Sequence, residues 1–307
     1  MGNYEKSQEY VVQYILTAVE EKEYDRLLDF IIFLTDLYFK VEKYDNVIKI
    51  YKYIKRYLKY VCKNKSETII SLYLKLASAY IHSNKIEEAL AIIRMLKEKN
   101  GLDNNERIEI KALEADYYFK VKDYANANEI YLQILYDYDD NPCSHVVISA
   151  LMNLALINYI LKNLKEAKKY IDLALNIKNM KEPYIEAKIY EYSVYIYTEM
   201  NHVRKAEELL EICIKKSFQC QKEHIQVNVI DYMLNHYIES NNYLFILKLA
   251  NILEELSCKG FIVNSKVVYV FLKIYAQIKE QSILTSIFQK CLSIVKNCEE
   301  KKFVKYK

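Results

Sequence analysis

The sequence predicts an all-α protein, a right-handed superhelix of about seven antiparallel helix pairs preceded by one N-terminal capping helix. One observation is a pattern of small and aromatic residues that recurs every 38 to 42 residues along the chain. Another is the scarcity of glycine and proline, with three and two residues in 307, which suits long helices and short turns. A repeat of this length is typical of a solenoid, in which stacked pairs bury one continuous core.

The stretch from residue 73 to residue 95 shows the repeat most clearly. Small Ala77 comes three residues before Tyr80, a polar turn follows at 83–85, and small Ala89 begins the second apolar pattern. The first small position recurs at Thr35, Ala77, Ala115, Ala155, Val194, Leu234 and Leu272, and the aromatic position at Tyr38, Tyr80, Tyr118, Asn158, Tyr197, Tyr237 and Tyr275. The second small position recurs at Val47, Ala89, Ala127, Ala167, Ala206, Ile246 and Leu284, and the apolar position four residues later at Tyr51, Ile93, Tyr131, Ile171, Leu210, Ala250 and Phe288.

This order of small, aromatic, turn and small residues resembles the tetratricopeptide repeat, and it stands as LASAY…NKIEEAL at residues 76–90 and as EADYY…KDYANAN at 114–128. The resemblance implies stacked helix pairs whose concave face binds a peptide or a protein. The chain departs from the family in its period, which exceeds about 34 residues, and in the large residues at the small positions of the last two pairs. The interpretation gives a capping helix over 1–24, a tetratricopeptide-like array over 25–298 and a basic tail over 299–307.

Charge, cysteine content and hydropathy exclude several classes of protein. The chain has 44 basic and 41 acidic residues, and this balance predicts that it contacts no nucleic acid. Seven cysteines at irregular spacing predict reduced thiols and a cytoplasmic protein. The N-terminus lacks an apolar signal core, and no run approaches the roughly 18 apolar residues of a membrane span, so we expect no membrane partner.

The sequence contains no constellation of catalytic residues. Its five histidines are scattered, no metal-binding or nucleophile motif occurs, and three glycines are too few for a glycine-rich phosphate loop. We therefore predict that the protein is not an enzyme, and that it needs no cofactor and no metal.

The candidate site is a peptide-binding groove on the predicted concave face, centred on the fourth to sixth pairs. Asparagine amides can both donate to and accept from a peptide backbone, tyrosine rings offer flat apolar contact, and aspartates suit a basic side chain or an amino terminus. Asp36 and Glu191 fall on the same predicted face and add to its acidic character. The alternative is that asparagine and tyrosine are merely frequent in this chain. The predicted peptide-binding residues are Asn153, Tyr192, Tyr195, Asn228, Asp231, Asn235 and Asp116.

The long-period array, the groove asparagines and a composition like that of a low-GC bacterium resemble the peptide-pheromone receptors of Gram-positive quorum sensing, the Rap, Rgg, NprR, PlcR and PrgX group. That resemblance implies a receptor that binds a short signalling peptide and changes its curvature or its dimer contacts. Many members carry a DNA-binding domain, for which about 24 residues before the first repeat are too few. We expect either the receptor domain of a transcriptional regulator or a protein that acts on protein partners alone. A scaffold or adaptor without a small ligand is the alternative.

The last pair predicts self-association. No further repeat follows to cover its apolar residues, so the end of the array must be capped or paired. We expect a homodimer formed through the C-terminal helices. The residues expected to be exposed there are Ile283, Ile287, Phe288, Ile294, Val295 and Phe303.

Overall fold

The computed structural model describes residues 2–61, 65–137, 145–177, 182–220, 222–240, 243–259 and 281–304. All regular secondary structure in these ranges is helical, which confirms the all-α prediction. Contacts group the chain into two compact units, Met1–Asp140 (unit 1) and Asn141–Lys307 (unit 2).

Unit 1 consists of a capping helix followed by three hairpins. Helix α1 packs against α2, where Ile15 and Ala18 are buried, as expected of a capping helix. The pairs are α2 with α3, α4 with α5 and α6 with α7, and the first helices α2, α4 and α6 lie side by side. The helices are α1 (Gly2–Glu20), α2 (Tyr24–Lys40), α3 (Tyr44–Ile54), α4 (Ser66–His82), α5 (Ile86–Lys97), α6 (Asn104–Lys120) and α7 (Tyr124–Asp137), with a short 3-10 helix at Leu58–Tyr60.

Unit 2 repeats the same arrangement. Its hairpins pair α8 with α9, α10 with α11 and α12 with α13, and α10 lies between the first helices α8 and α12. The last described helix, α14, packs against α13. The helices are α8 (His145–Ile160), α9 (Leu164–Leu175), α10 (Pro183–Glu199), α11 (Val203–Gln219), α12 (Glu223–Glu239), α13 (Tyr243–Cys258) and α14 (Gln281–Val304).

Burial follows the predicted repeat in the first six pairs. Both small positions and the apolar position are buried in every one of these pairs. At the aromatic position the rings of Tyr38, Tyr80, Tyr197 and Tyr237 are buried, and Tyr118 is half-buried. Asn158 takes this position in the fourth pair, and its buried amide donates to the Leu154 carbonyl at 2.9 Å.

The turns inside the first five hairpins share one backbone geometry. One residue in each of these turns has a left-handed conformation, with φ between 58° and 65°. The next residue donates its backbone N–H to the carbonyl of the aromatic position, as Lys85 does to Tyr80 at 2.8 Å. This is the Schellman arrangement that ends many helices, although these turns contain no glycine. The left-handed residues are Glu42, Asn84, Lys122, Lys162 and Asn201.

The seventh pair departs from the predicted frame. Residues 260–280, which include the expected first helix with Leu272 and Tyr275, lie outside the described residues. On α14, Ile287 and Ile294 are buried, whereas Phe288 is 43% exposed, so the prediction that Ile287 and Ile294 are exposed was wrong. The reason is that α13 covers this side of α14. The side chains of Ile283 and Phe303 lie outside the described residues.

Candidate functional site

Six of the seven predicted site residues lie on three neighbouring helices of unit 2. Asn153 lies on α8, the tyrosines Tyr192 and Tyr195 lie on the central α10, and α12 carries Asn228, Asp231 and Asn235. The seventh, Asp116, lies on α6 in unit 1, where its carboxylate accepts a hydrogen bond from the Tyr131 hydroxyl. The structure therefore brings the asparagines and tyrosines into one region of unit 2, and it places Asp116 in the other unit.

Three polar residues form a stripe along α12, which we call the amide stripe after its two asparagines: Asn228, Asp231 and Asn235. Spacings of three and four residues place them on one face of the helix. Both asparagines are exposed and Asp231 is half-buried. None of the three makes a hydrogen bond or an ion pair with the described residues. Among the described residues, nothing occupies their donors and acceptors.

A row of aromatic rings, the tyrosine wall, lies beside this stripe and consists of Tyr159, Tyr195 and Tyr232. The Tyr195 and Tyr232 ring centroids are 4.5 Å apart, and those of Tyr159 and Tyr195 are 6.3 Å apart. Tyr232 lies four residues after Asn228 and three before Asn235, so it is on the same side of α12 as the amide stripe. Together the tyrosine wall and the amide stripe make up a candidate site, which we call the ligand face. It joins flat apolar contact to polar groups that no described residue satisfies, a combination that small-ligand and peptide sites use.

A buried ion pair supports the wall from within α10. Glu191 is 2% exposed and Lys188 is 15% exposed, and the ammonium donates to Glu191 Oε2 at 2.8 Å. The Tyr195 hydroxyl donates to the other oxygen, Oε1, also at 2.8 Å. Burial, and next the charge of Glu191, raise the pKa of Tyr195 above its usual range, so its hydroxyl stays protonated as a donor. These bonds fix the orientation of the Tyr195 ring.

The pairing of the acidic groups corrects one expectation. Glu191 was expected to add to an acidic surface for a basic partner, but it is buried and satisfied by Lys188 and Tyr195. Asp36 is also engaged, because Lys75 of the neighbouring first helix donates to it at 2.6 Å. Among the acidic residues proposed for the site, Asp231 alone makes no such contact with the described residues.

Sequence reasoning missed Tyr159 and the supporting role of Lys188. Tyr159 lies four residues after the small position Ala155, where Phe39 and Phe119 stand in their own repeats, and this correspondence could have revealed it. Lys188 lies three residues before Glu191, a spacing that favours an ion pair on one helix. That this pair is buried depends on the neighbouring helices, and the sequence of α10 does not contain that information.

The described residues contain no cluster of three His, Cys, Asp or Glu side chains suited to a metal ion. Within the same residues, no helix combines the length and the apolar character needed to span a bilayer.

Comparisons with known proteins give likenesses of structure only. No protein-family model matches the chain, and no curated protein matches it. BtubC (BKLC) from P. vanneervenii is similar in structure with a TM-score of 0.46 at 14% identity, over 91% of this chain and 92% of that one. A tetratricopeptide repeat protein from Parabacteroides merdae ATCC 43184 is similar with a TM-score of 0.43 at 11% identity, over 94% of this chain and 99% of that one.

Proposed function

We propose that this protein is a peptide-binding regulatory receptor of the quorum-sensing type, whose ligand face in unit 2 binds a short extended peptide. The observation that carries the proposal is the amide stripe, which has no partner among the described residues and lies beside the tyrosine wall. A peptide that leaves water must replace its backbone hydrogen bonds or lose about 1–3 kcal/mol for each unsatisfied group. Asn228 and Asn235 supply replacements, because each amide both donates and accepts.

The spacing of the stripe suits an extended backbone. Asn228 and Asn235 are seven residues apart on a helix, which corresponds to about 10 Å along the axis. An extended chain covers that distance in about three residues. The two amides would therefore contact the peptide at both ends of a tripeptide, with Tyr232 between them on the same helix face. Asp231 lies between the two asparagines along α12, directly before Tyr232, and would pair with the peptide's amino terminus or a basic side chain.

The test begins with a library of short synthetic peptides, screened for a rise in the melting temperature of the full chain. A ligand that binds only the native state raises stability by mass action. Binders are then titrated by calorimetry against Asn153→Ala, Asn228→Ala and Asn235→Ala. We expect each variant on α12 to weaken binding about threefold to tenfold, the net value of one hydrogen bond.

Asn251→Ala is the matched control, because Asn251 is an exposed asparagine on α13, away from the ligand face. Acetylating the peptide's amino terminus separates the role of Asp231 from that of the amides. If the folded variants bind like the parent, the site lies elsewhere. If no peptide shifts the melting temperature, the alternative of a scaffold or adaptor for protein partners replaces the receptor.

Self-association is the means of signalling that we propose for the receptor. Phe288, Leu292 and Val295 are exposed at spacings of four and three residues, so they form an apolar face on α14. Pairing of this face in a homodimer would bury it, and a bound peptide would act by changing that pairing. Light scattering should give a particle twice the 36.6 kDa chain for the parent and a single chain for Leu292→Glu. A parent of 36.6 kDa at micromolar concentration would contradict the dimer.

A further inference from the structure

A second surface in unit 1 combines positive charge with exposed tyrosines. Residues 51–61, YKYIKRYLKYV, run from the end of α3 through the short 3-10 helix and contain no acidic residue. We call them the basic–aromatic segment. The near-neutral charge of the whole chain conceals this local excess, because acidic residues elsewhere offset it. The prediction that the chain contacts no nucleic acid rested on that whole-chain balance.

The cations of this segment are open to solvent. Lys52, Lys55, Arg56 and Lys59 are all exposed, and none forms a salt bridge with the described residues. Many lysines elsewhere are neutralised, as Lys97 is by Glu114 and Lys111 by Asp137. Lys55 keeps a helical backbone just beyond α3. The spacing of three residues between Lys52 and Lys55 therefore places these two cations on one side of the segment.

The tyrosines form a stacked group beside these charges. The Tyr24 ring stacks on Tyr57 at 5.9 Å and on Tyr60 at 5.1 Å, with interplanar angles of 18° and 25°. The Arg56 guanidinium lies 5.1 Å from the Tyr53 ring centroid and 4.8 Å from that of Tyr57. Tyr60 is 55% exposed and Tyr53 is 37% exposed. Near-parallel rings that still face solvent offer planes on which further flat groups can stack.

We infer that the basic–aromatic segment binds single-stranded nucleic acid. Proteins of this kind combine cations that track the phosphates with aromatic rings on which the bases stack. A duplex suits the surface poorly, because its bases are already stacked within the helix. An anionic membrane suits it poorly as well, because Ile54 is buried and Leu58 is half-buried, which leaves no exposed aliphatic anchor in the centre of the segment.

Acidic neighbours limit the surface on one side. Glu23 and Asp25 flank Tyr24, and Glu23 is held by the Arg26 guanidinium at 2.8 Å. Asp29 accepts an ion pair from Lys65 at 2.7 Å. The bound strand is therefore expected to run along the cations of residues 52–59, and to leave the α1–α2 turn free.

The test is fluorescence anisotropy of the full chain with a labelled oligouridine of about 15 nucleotides, at several salt concentrations. Four phosphate contacts predict a slope of log affinity against log salt of about −3. Lys55→Gln/Arg56→Gln should reduce that slope by about half. Tyr60→Leu should weaken binding about fivefold or more, because a stacked base loses its ring.

Two controls in unit 1 test whether any loss of binding comes from this surface, and not from removing positive charge or an exposed tyrosine anywhere on the unit. Lys97→Gln/Lys111→Gln removes the same charge from cations that already have partners, and Tyr136→Leu removes an 87% exposed tyrosine from α7. Both controls should bind like the parent. Circular dichroism checks that every variant is folded.

Four outcomes would overturn the inference. They are no binding at low salt, equal losses in the controls, binding that Tyr60→Leu leaves unchanged, and equal affinity for a duplex of the same length. Binding to phosphatidylserine vesicles without binding to the oligonucleotide would assign the segment to a membrane instead.

Discussion

In unit 1, ion pairs join neighbouring first helices, as between Asp36 on α2 and Lys75 on α4 at 2.6 Å. In unit 2, the first helices α10 and α12 meet instead through the rings of Tyr195 and Tyr232, and the amide stripe next to them has no partner among the described residues. The same repeat therefore supports two different surfaces. The difference shows that a neighbouring first helix can either pair a polar side chain of this repeat or leave it open to solvent.

The largest expected difference between the two units is in their ion pairs. Lys188–Glu191 in unit 2 should contribute more to the free energy of unfolding than Asp36–Lys75 in unit 1. Lys188→Met leaves the buried Glu191 without its cation, and removing one member of a buried pair costs about 3 kcal/mol. Asp36→Asn breaks a more exposed pair, and its cost should stay below about 1 kcal/mol. Urea unfolding of both variants measures the difference.

A double variant tests whether the cost comes from the uncompensated charge. Lys188→Met/Glu191→Leu should regain most of the lost stability, because an apolar pair often replaces a buried ion pair without penalty. Equal and small effects of Lys188→Met and Asp36→Asn would show that the α10 pair is no more buried in solution than the α2–α4 pair.

Substitutions at the crossings of the helix pairs should have an effect of intermediate size on stability. Ala115 and Ala127 are fully buried where α6 and α7 cross, whereas Leu234 stands at the first small position of the α12–α13 pair. Ala115→Leu and Ala127→Leu should each destabilise the protein by about 1–3 kcal/mol through overpacking. Ala125→Leu on the exposed side of α7 is the control and should stay within about 0.5 kcal/mol. Unchanged melting in both buried variants would mean that these alanines do not lie at the crossing.

The smallest effect concerns the left-handed turns. Lys122→Gly should stabilise unit 1 by about 0.5 kcal/mol, since glycine relieves a φ of 65° but adds entropy to the unfolded chain. Lys162→Gly in unit 2 should increase stability by a smaller amount. Lys162 pairs with Glu199 at 3.2 Å and lies 5.5 Å from the Tyr159 ring centroid, contacts that glycine removes. Thermal denaturation compares the two, and a larger gain at Lys162 would contradict this account.

The sequence predicted the fold well at positions that have the same structural role in every repeat. Alanine at Ala77 and Ala115 and the tyrosine three residues later reveal the hairpins, because a helix crossing needs a small residue in each pair. The prediction failed in the last pair, where Ile287 and Ile294 were expected to be exposed and are buried against α13. Leu284 stands at the small position there, so the frame had little support in that pair.

The candidate site could be predicted only in part. Spacing was enough to group Asn228, Asp231 and Asn235, since residues on one helix face can be read from the sequence. It could not show that Glu191 is satisfied internally while Asp231 is not, because that depends on which side chains the adjacent helices contribute. The same limit applies to the basic–aromatic segment, whose charge was hidden in a whole-chain average.

Hydrogen–deuterium exchange tests the central claim most directly, with the full chain measured alone and with the tightest binder from the peptide library. Binding to the ligand face should slow exchange in α10 and α12, because the peptide contacts both helices and favours one arrangement of them. The first helices α2 and α4, which the Asp36–Lys75 ion pair already joins, should exchange as before. Protection confined to α2 and α4, with α10 and α12 unchanged, would contradict the proposed site.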